Sequence, residues 1–365
     1  MSIEKIANAL ISQALYYDAT DVHIAPRSKT YLIEFRINGS LSSHKKISHQ
    51  LGERLISHFK FMASMDIGEK RKPQSGSLQS HFFGTFTSLR ISTLPTAKSQ
   101  ESIVIRILHQ HQSLSLEKLS LFPSSIKILQ SFMFQAHGLI LFTGPTGSGK
   151  STTMFSLAEY CSIHLHRRVI TLEDPVEKQN DYFLQVQVNE KAGIGFQSGL
   201  KAILRHDPDV IMIGEIRDAE TAMIAVRAAM TGHLVLSSIH TRNAVGALYR
   251  LLEFGIKEYE IEQTLLAVTG QRLVSIKCPF CGFNCSKYCI RPNHLKRTGI
   301  YEMLHGYVLT QAMNDLRKGG DPFAYNKLQK LIAKGVALGY ISQEEYRRWI
   351  VHEENEIERT KSIFY

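Results

Sequence analysis

The sequence predicts an α/β protein: a mostly parallel sheet covered by helices on both faces, preceded by a smaller mixed α/β unit. Three observations predict it. Four short apolar runs, Gly138–Thr143, 168–172, Val210–Ile213 and Leu234–Ile239, alternate with helix-compatible stretches, as strands buried on both faces do. A glycine-rich loop follows the first of these runs and opens a helical stretch. Well upstream, Tyr31–Ile37 alternates strictly, with Tyr31, Ile33, Phe35 and Ile37 on one face and Glu34 and Arg36 on the other.

The elements follow in order. Residues 3–17 place Ile3, Ile6, Ala7, Leu10, Ile11, Ala14 and Leu15 near helical spacing. After Tyr31–Ile37 comes Asn38-Gly39, a pair suited to a tight hairpin because both central residues of such a turn take positive φ. Two more strands are expected at 86–93 and Glu101–Leu108. In the second, Ile103, Ile105 and Ile107 share a face and Arg106 points to the other. The Ser- and Leu-rich stretch 111–123 reads as a linker, giving an N-terminal domain over 1–110 and a second domain over 124–365. A length of 365 residues suits two domains at about 150 residues each. Beyond about Lys257 the chain is expected to be helical apart from a cysteine loop at 278–289, and 319–365 reads as a packing or ring-contact element.

Composition narrows the class. Hydrophobic residues at 44% and charged residues at 21% fit a packed globular chain and exclude disordered, collagen-like and coiled-coil arrays. No apolar run approaches the roughly 18 residues of a spanning helix, and the first residues lack the layout of a secretory signal, so a soluble cytosolic protein is expected. The net charge of +10 permits attraction to nucleic acid or an anionic membrane face. The first 110 residues hold 14 Lys and Arg against 8 Asp and Glu, with no dense basic run, as an ordinary solvated surface also would.

Chemistry concentrates in four places. Gly144, Pro145, Thr146, Gly147, Ser148, Gly149, Lys150 and Ser151 match G-x-x-x-x-G-K-[ST] between a strand and a helix that begins near Thr152. Glycines let backbone N–H groups curl around phosphates at a helix N-terminus, Lys150 reaches the β/γ-phosphates and the Ser151 hydroxyl sits on Mg²⁺, so this site binds ATP or GTP. Asp207-Pro-Asp209 leads into the run ending at Gly214-Glu215-Ile216-Arg217-Asp218. An acid at the end of a buried strand beside the phosphate loop can activate water, which makes Glu215 the candidate general base. Thr171-Leu-Glu-Asp-Pro-Val-Glu177 offers Glu173 as a second carboxylate near the metal, although Asp-Pro turns are common on purely structural grounds. Thr231-Gly-His233 and His240-Thr241 bracket a strand. Seven residues apart, the two histidines face opposite sides and do not form one metal site, but His240, at the carboxyl end, can sense the γ-phosphate.

The four stretches 144–151, 171–177, 207–218 and 231–241, in that order, resemble the bacterial secretion ATPase superfamily, which powers type II secretion and type IV pili. There they are the Walker A, Asp box, Walker B and His box. Asp21-Val-His-Ile24, Arg36-Ile-Asn-Gly39, 65–74 and 89–95 echo the N-terminal domain of the same family, so the resemblance spans about 15–310. It implies a RecA-like P-loop ATPase domain behind a smaller PAS-like N-terminal domain, working as a homo-hexameric ring with nucleotide between the two domains. It also implies that Arg90 and Arg106, on N-terminal strands, reach the phosphates. Both lie opposite their apolar neighbours, as a phosphate-reaching residue or one on a solvated face would. The implied partner is an inner-membrane platform protein, with the motor peripheral on the cytoplasmic side.

Cysteines indicate the branch. Four of five, Cys278, Cys281, Cys285 and Cys289, fall in the pattern CxxC-x3-C-x3-C, suited to tetrahedral Zn²⁺ at about 2.3 Å per bond or to ordinary reduced thiols. Assembly ATPases of the family carry a tetracysteine zinc loop and retraction ATPases lack it. This loop departs from the fuller pattern of two separated CxxC pairs, Thr241-Arg-Asn-Ala244 departs from the usual Asn-Asp after His-Thr, and the chain leaves no room for the extra docking domain of large assembly ATPases. The resemblance is strongest to the Gram-positive branch that drives a competence pseudopilus for DNA uptake. The rivals are a retraction or type II secretion motor and an ATP-binding scaffold without turnover. Direct DNA binding is not expected, because no interleaved basic-aromatic tract is present.

Overall fold

The computed structural model describes residues 2–37, 40–82, 85–97, 100–108, 114–176, 179–189, 192–283, 297–318 and 327–349. The chain divides into two compact units, Met1–Gln112 and Ser113–Tyr365.

In the first unit, α1 (Ile3–Tyr16) is capped by the Ser2 hydroxyl, which accepts from the Lys5 N–H. Six strands follow: β1 (Ala19–Pro26), β2 (Tyr31–Ile37), β3 (Ser40–Ile47), β4 (Gln74–Phe82), β5 (Thr85–Pro95) and β6 (Glu101–Leu108), with α2 (His49–Met62) after β3. Among the described residues they form an antiparallel sheet in the order β3-β2-β1-β6-β5-β4. Both helices pack on one face, burying Ile11, Leu55 and Phe59 against Ile24, Tyr31, Phe35, Ile103 and Ile105. The alternation read in β2 and β6 is therefore the division between this core and the opposite face. Asn38 and Gly39, the expected hairpin turn, lie outside the described residues, but β2 and β3 pair from Ile37 against Ser40 onward.

A buried ion pair secures the helix-bearing side: Lys60 Nζ donates to Glu101 Oε1 at 2.8 Å and to the Glu69 carbonyl at 2.7 Å.

The second unit contains α3 (Pro123–Phe132), β7 (Gly138–Thr143), α4 (Lys150–His164), β8 (Val169–Glu173), β9 (Leu184–Gln187), α5 (Phe196–Ile203), β10 (Val210–Ile213), α6 (Ala219–Met230), β11 (Leu234–Ile239), α7 (Ala244–Glu253), α8 (Glu258–Thr264), β12 (Leu265–Ser275), β13 (Arg297–His305), α9 (Gly306–Lys318) and α10 (Leu328–Ala337). The sheet order is β13-β12-β7-β11-β10-β8-β9, parallel throughout except for β13 at one edge. Successive residues of one strand enter two different cores. Leu139 and Leu141 of β7 pack with α5 to α9, whereas Ile140 and Phe142 pack with α3 and α4. That is the two-sided burial expected from the uninterrupted apolar runs.

Two expectations are corrected here. The chain beyond Lys257 is not mainly helical: β12 lies inside the sheet beside β7, and β13 flanks it. Leu265 through Gln271 are mostly buried on both faces, so β12 lacks the period-two alternation that marks a half-exposed strand. Much of the stretch expected as a linker belongs to the second unit, where Leu116 and Leu119 are buried with Ile126 and Leu129. Leu121 N–H donates to the Gly299 carbonyl and Gly299 N–H to the Leu119 carbonyl, so this stretch pairs with β13.

Candidate active site

Four motif-bearing loops leave the carboxyl ends of four adjacent parallel strands. In sheet order these are the glycine loop after β7, His240-Thr241 after β11, Gly214-Glu215 after β10, and Glu173-Asp174 at the end of β8. Carboxyl ends of a parallel sheet are where open α/β folds bind ligands.

The glycine loop is built for an anion. Gly144, Gly147 and Gly149 hold φ of +147°, +77° and +88°, which residues with a side chain rarely adopt. Pro145, Thr146, Gly147, Ser151 and Thr152 are exposed, whereas Ser148 is buried with no hydrogen-bond partner for its Oγ. Lys150, the first residue of α4, is buried, and its Nζ donates to the carbonyls of Gly144 (2.7 Å) and Pro145 (3.2 Å). Burial pushes the Lys150 pKa down, the charge of Glu215 opposes this, and Arg272 adds to it. A buried ammonium hydrogen-bonded to two carbonyls, at a helix N-terminus with open backbone, fits a phosphate chain, and the exposed Ser151 hydroxyl on the first turn fits its Mg²⁺.

Glu215 is held from three sides. Its Oε2 lies 3.1 Å from His240 Nε2, and its Oε1 receives the Arg217 guanidinium. The backbone on either side of it is tied to β11: Ser238 Oγ donates to the Gly214 carbonyl at 2.8 Å, and Ile216 N–H to the Ser238 carbonyl at 2.8 Å. The hydrogen bond to Glu215 raises the Arg217 pKa, and Arg217 Nη1 also approaches Asp174 Oδ2 at 3.4 Å. The β7 and β11 ends are clasped by Thr143 Oγ1, which donates to the Thr241 carbonyl at 2.9 Å.

Thr143, Arg217 and Ser238 carry roles that sequence reasoning did not assign. The available signal was the pair Ser237-Ser238 inside an otherwise apolar buried strand, since buried hydroxyls need partners.

The remaining candidates divide. Glu173 is buried, and its Oε1 accepts from Thr171 Oγ1 (2.6 Å) and Gln185 Nε2 (3.1 Å). His233 sits at the far end of β11, its Nδ1 beside the Ala228 carbonyl, so the two histidines are separated as expected. Arg90 and Arg106 belong to the first unit and face each other across β5 and β6 on the exposed side. Asp21 is the counter-charge of Arg106 and Arg36: its Oδ1 accepts from Arg106 Nε at 3.0 Å, and Arg36 approaches its Oδ2 at 3.7 Å.

Cys278 and Cys281 form a knuckle in which Cys278 and Gly282 exchange N–H···O=C bonds of 2.9 and 3.0 Å, with Gly282 at φ +72°. Cys285 and Cys289 lie outside the described residues, and among the described residues no three His, Cys, Asp or Glu side chains converge on a metal position. The fifth cysteine, Cys161, is a packing residue whose thiol burial pushes up to about 12.

Comparison with known proteins bears on the whole chain. The family described as Type II/IV secretion system protein matches residues 1–348. Competence protein ComGA of Bacillus subtilis is 52% identical over 97% of this chain and 99% of its own length. Type II secretion system protein E of Dickeya dadantii is 42% identical over 82% of this chain and 59% of its own length. The solved structure of the Legionella pneumophila ATPase DotB superposes with a TM-score of 0.72 at 21% identity, covering 94% of each chain, so the RecA-like fold is shared.

Proposed function

The chain belongs to the type II/IV secretion system protein family, and from that membership we propose that it is an ATP-hydrolysing motor that assembles a competence pseudopilus for DNA uptake. The observation that carries the reading is the meeting of Lys150, Glu215 and His240 at the carboxyl edge of one parallel sheet.

Each residue has a task there. Lys150 exchanges the Gly144 and Pro145 carbonyls for phosphate oxygens, and the backbone N–H groups of 147–151 cradle the phosphates. Ser151 would hold Mg²⁺, which supplies positive charge against the phosphate oxygens when bound. Glu215 takes the proton of the attacking water, and His240 fixes the orientation of that carboxylate. Glu173 supplies a further carboxylate on the adjacent strand. Arg90 and Arg106 add positive charge toward the phosphates from the N-terminal domain. Asp21 holds Arg106 and Arg36 in place, with Arg90 next to Arg106 across β5 and β6.

The working form is a homo-hexamer on the cytoplasmic face of the membrane, turning an inner-membrane platform protein. Among the described residues no helix is long and apolar enough to cross a membrane. Similarity to type II secretion system protein E supports a second reading, a secretion motor. The competence reading is preferred because the match there spans nearly all of both chains. In a host lacking its own copy, the wild-type gene is expected to restore transformation and Lys150→Ala to leave it at the level of the deletion. Sedimentation of the purified chain with nucleotide is expected to give a six-subunit ring. Transformation by the Lys150→Ala strain, or a chain that stays monomeric with nucleotide, would overturn the motor.

The knuckle supports zinc. The Cys278-x-x-Cys281-Gly282 turn closes its backbone as a knuckle would, and with Cys285 and Cys289 next in the sequence the chain would offer four thiolates to a structural Zn²⁺. Metal analysis is expected to give about one zinc per chain and Cys278→Ser to lose it. Zinc-free wild type would remove the argument for assembly over retraction.

A further inference from the structure

The end of the described chain reaches back to the loop that carries His240. Arg272, on β12, donates from Nη2 to the Arg242 carbonyl at 2.6 Å and from Nη1 to the Gln271 carbonyl at 3.0 Å. Its guanidinium carbon also lies 5.4 Å from the ring centroid of Trp349, in the helical segment 343–349. The indole is fixed in turn, since Trp349 Nε1 donates to Glu345 Oε2 at 3.1 Å. Glu302, buried on β13, makes a parallel connection. Its Oε1 accepts from the Ala244 N–H (2.7 Å), which opens α7, and its Oε2 from the Leu328 N–H (3.0 Å), which opens α10. The loop between β11 and α7 is thus gripped at Arg242 and at Ala244, each time by a side chain that also holds a C-terminal helical segment.

The two grips differ. Glu302 is 2% exposed and packs so closely on Gly270 that a Cβ added there would stand 2.5 Å from its Oε1. Arg272 and Trp349 are only half-buried. Arg272 Nη1 also lies 3.2 Å from where a Cβ on Gly144 would stand, at the mouth of the phosphate loop.

We propose that Arg272, seated by Trp349, is a positioning residue that sets where His240 meets Glu215, and that phosphate on the glycine loop alters this contact. Charge arriving beside Arg272 competes for a guanidinium that also serves two carbonyls and an aromatic face. The C-terminal segment is thereby coupled to the hydrolysis site. This rests on the reading of Glu215 as the base.

Trp349 is the single tryptophan of the chain, so intrinsic fluorescence of the full-length oligomer reads its surroundings directly. A non-hydrolysable ATP analogue is expected to shift wild-type emission, and the shift is expected to vanish in Arg272→Gln while calorimetry still detects binding. Trp349→Leu is expected to lower kcat about three- to tenfold with KM for ATP unchanged, whereas Trp349→Phe, which keeps an aromatic face, holds kcat near wild type. If Trp349→Leu fails to fold, the fluorescence comparison of wild type with Arg272→Gln decides alone. Unchanged emission in wild type on binding, or wild-type kcat in a folded Trp349→Leu, would overturn the proposal. Failure of the base reading looks different: Glu215→Gln would keep full turnover whatever Trp349 does.

Discussion

Replacing Glu215 with glutamine is expected to reduce steady-state phosphate release about 10²- to 10⁴-fold, the contribution of a positioned general base. Glutamine keeps the size and the hydrogen-bonding reach of the side chain, so contacts with His240 and Arg217 can persist in altered form, while the group can no longer accept a proton from water. Binding should survive, because in the proposed site Lys150 and the glycine loop, not Glu215, hold the phosphates. Phosphate release, measured beside nucleotide affinity on the same oligomer, separates the two effects. A loss of affinity equal to the loss of turnover would instead make Glu215 a binding residue. Undiminished turnover would move the base elsewhere, with Glu173 the next carboxylate along the sheet edge. Undetectable turnover in the wild-type protein, even with the proposed ring formed and the proposed membrane partner added, would favour a nucleotide-binding scaffold.

The electrostatic setting makes this variant more informative than an alanine. Arg217 bridges Glu215 and Asp174, so two loops share one guanidinium. Truncation at Glu215 would free Arg217 to rearrange toward Asp174 and disturb the neighbouring loop as well. The isosteric amide limits that movement, and the resulting defect reports on proton transfer.

The parts legible in the sequence are those where local pattern and burial agree. The runs that became β7, β10 and β11 are bounded to the residue because each is mainly apolar, buried along its length and closed by glycine or polar loops. The alternation of β2 and β6 was legible because one face is solvated. The strands β12 and β13 were not. Both are buried along most of their length, and the buried Glu302 of β13 holds the first residues of two helices, a tertiary job that no local spacing announces. Among site residues, the motif positions were legible, since loop conformation and helix N-terminus dictate their types. The supports were not, because Ser238, Thr143 and Arg272 act across strands distant in sequence, and only the sheet order brings them to the loops they hold.

Removing one partner of the buried pair in the first unit is expected to destabilise it by about 3–5 kcal/mol, whereas replacing both should cost far less. The Lys60 and Glu101 side chains are 1% and 5% exposed, so neither charge has water to fall back on. In Lys60→Met the Glu101 carboxylate stays buried without its counter-charge, and the Glu69 carbonyl loses its donor. In Lys60→Met with Glu101→Leu no charge is left stranded, and only the bond to Glu69 is missing, a loss of about 1–2 kcal/mol. A chain of two units need not unfold in one step, so the measurement is hydrogen exchange of β5 and β6 amides in urea, which reports this unit by itself. Equal losses in single and double variants would mean that the pair acts through packing and not through charge. If Arg90 and Arg106 serve the phosphates as proposed, the pair bears on function, because β6 carries Glu101 at its start and Arg106 five residues on. Loosening the strand at Glu101 shifts the row formed by Arg36, Asp21, Arg106 and Arg90. ATP turnover should therefore fall in the single variants in parallel with lost protection, and recover with it in the double.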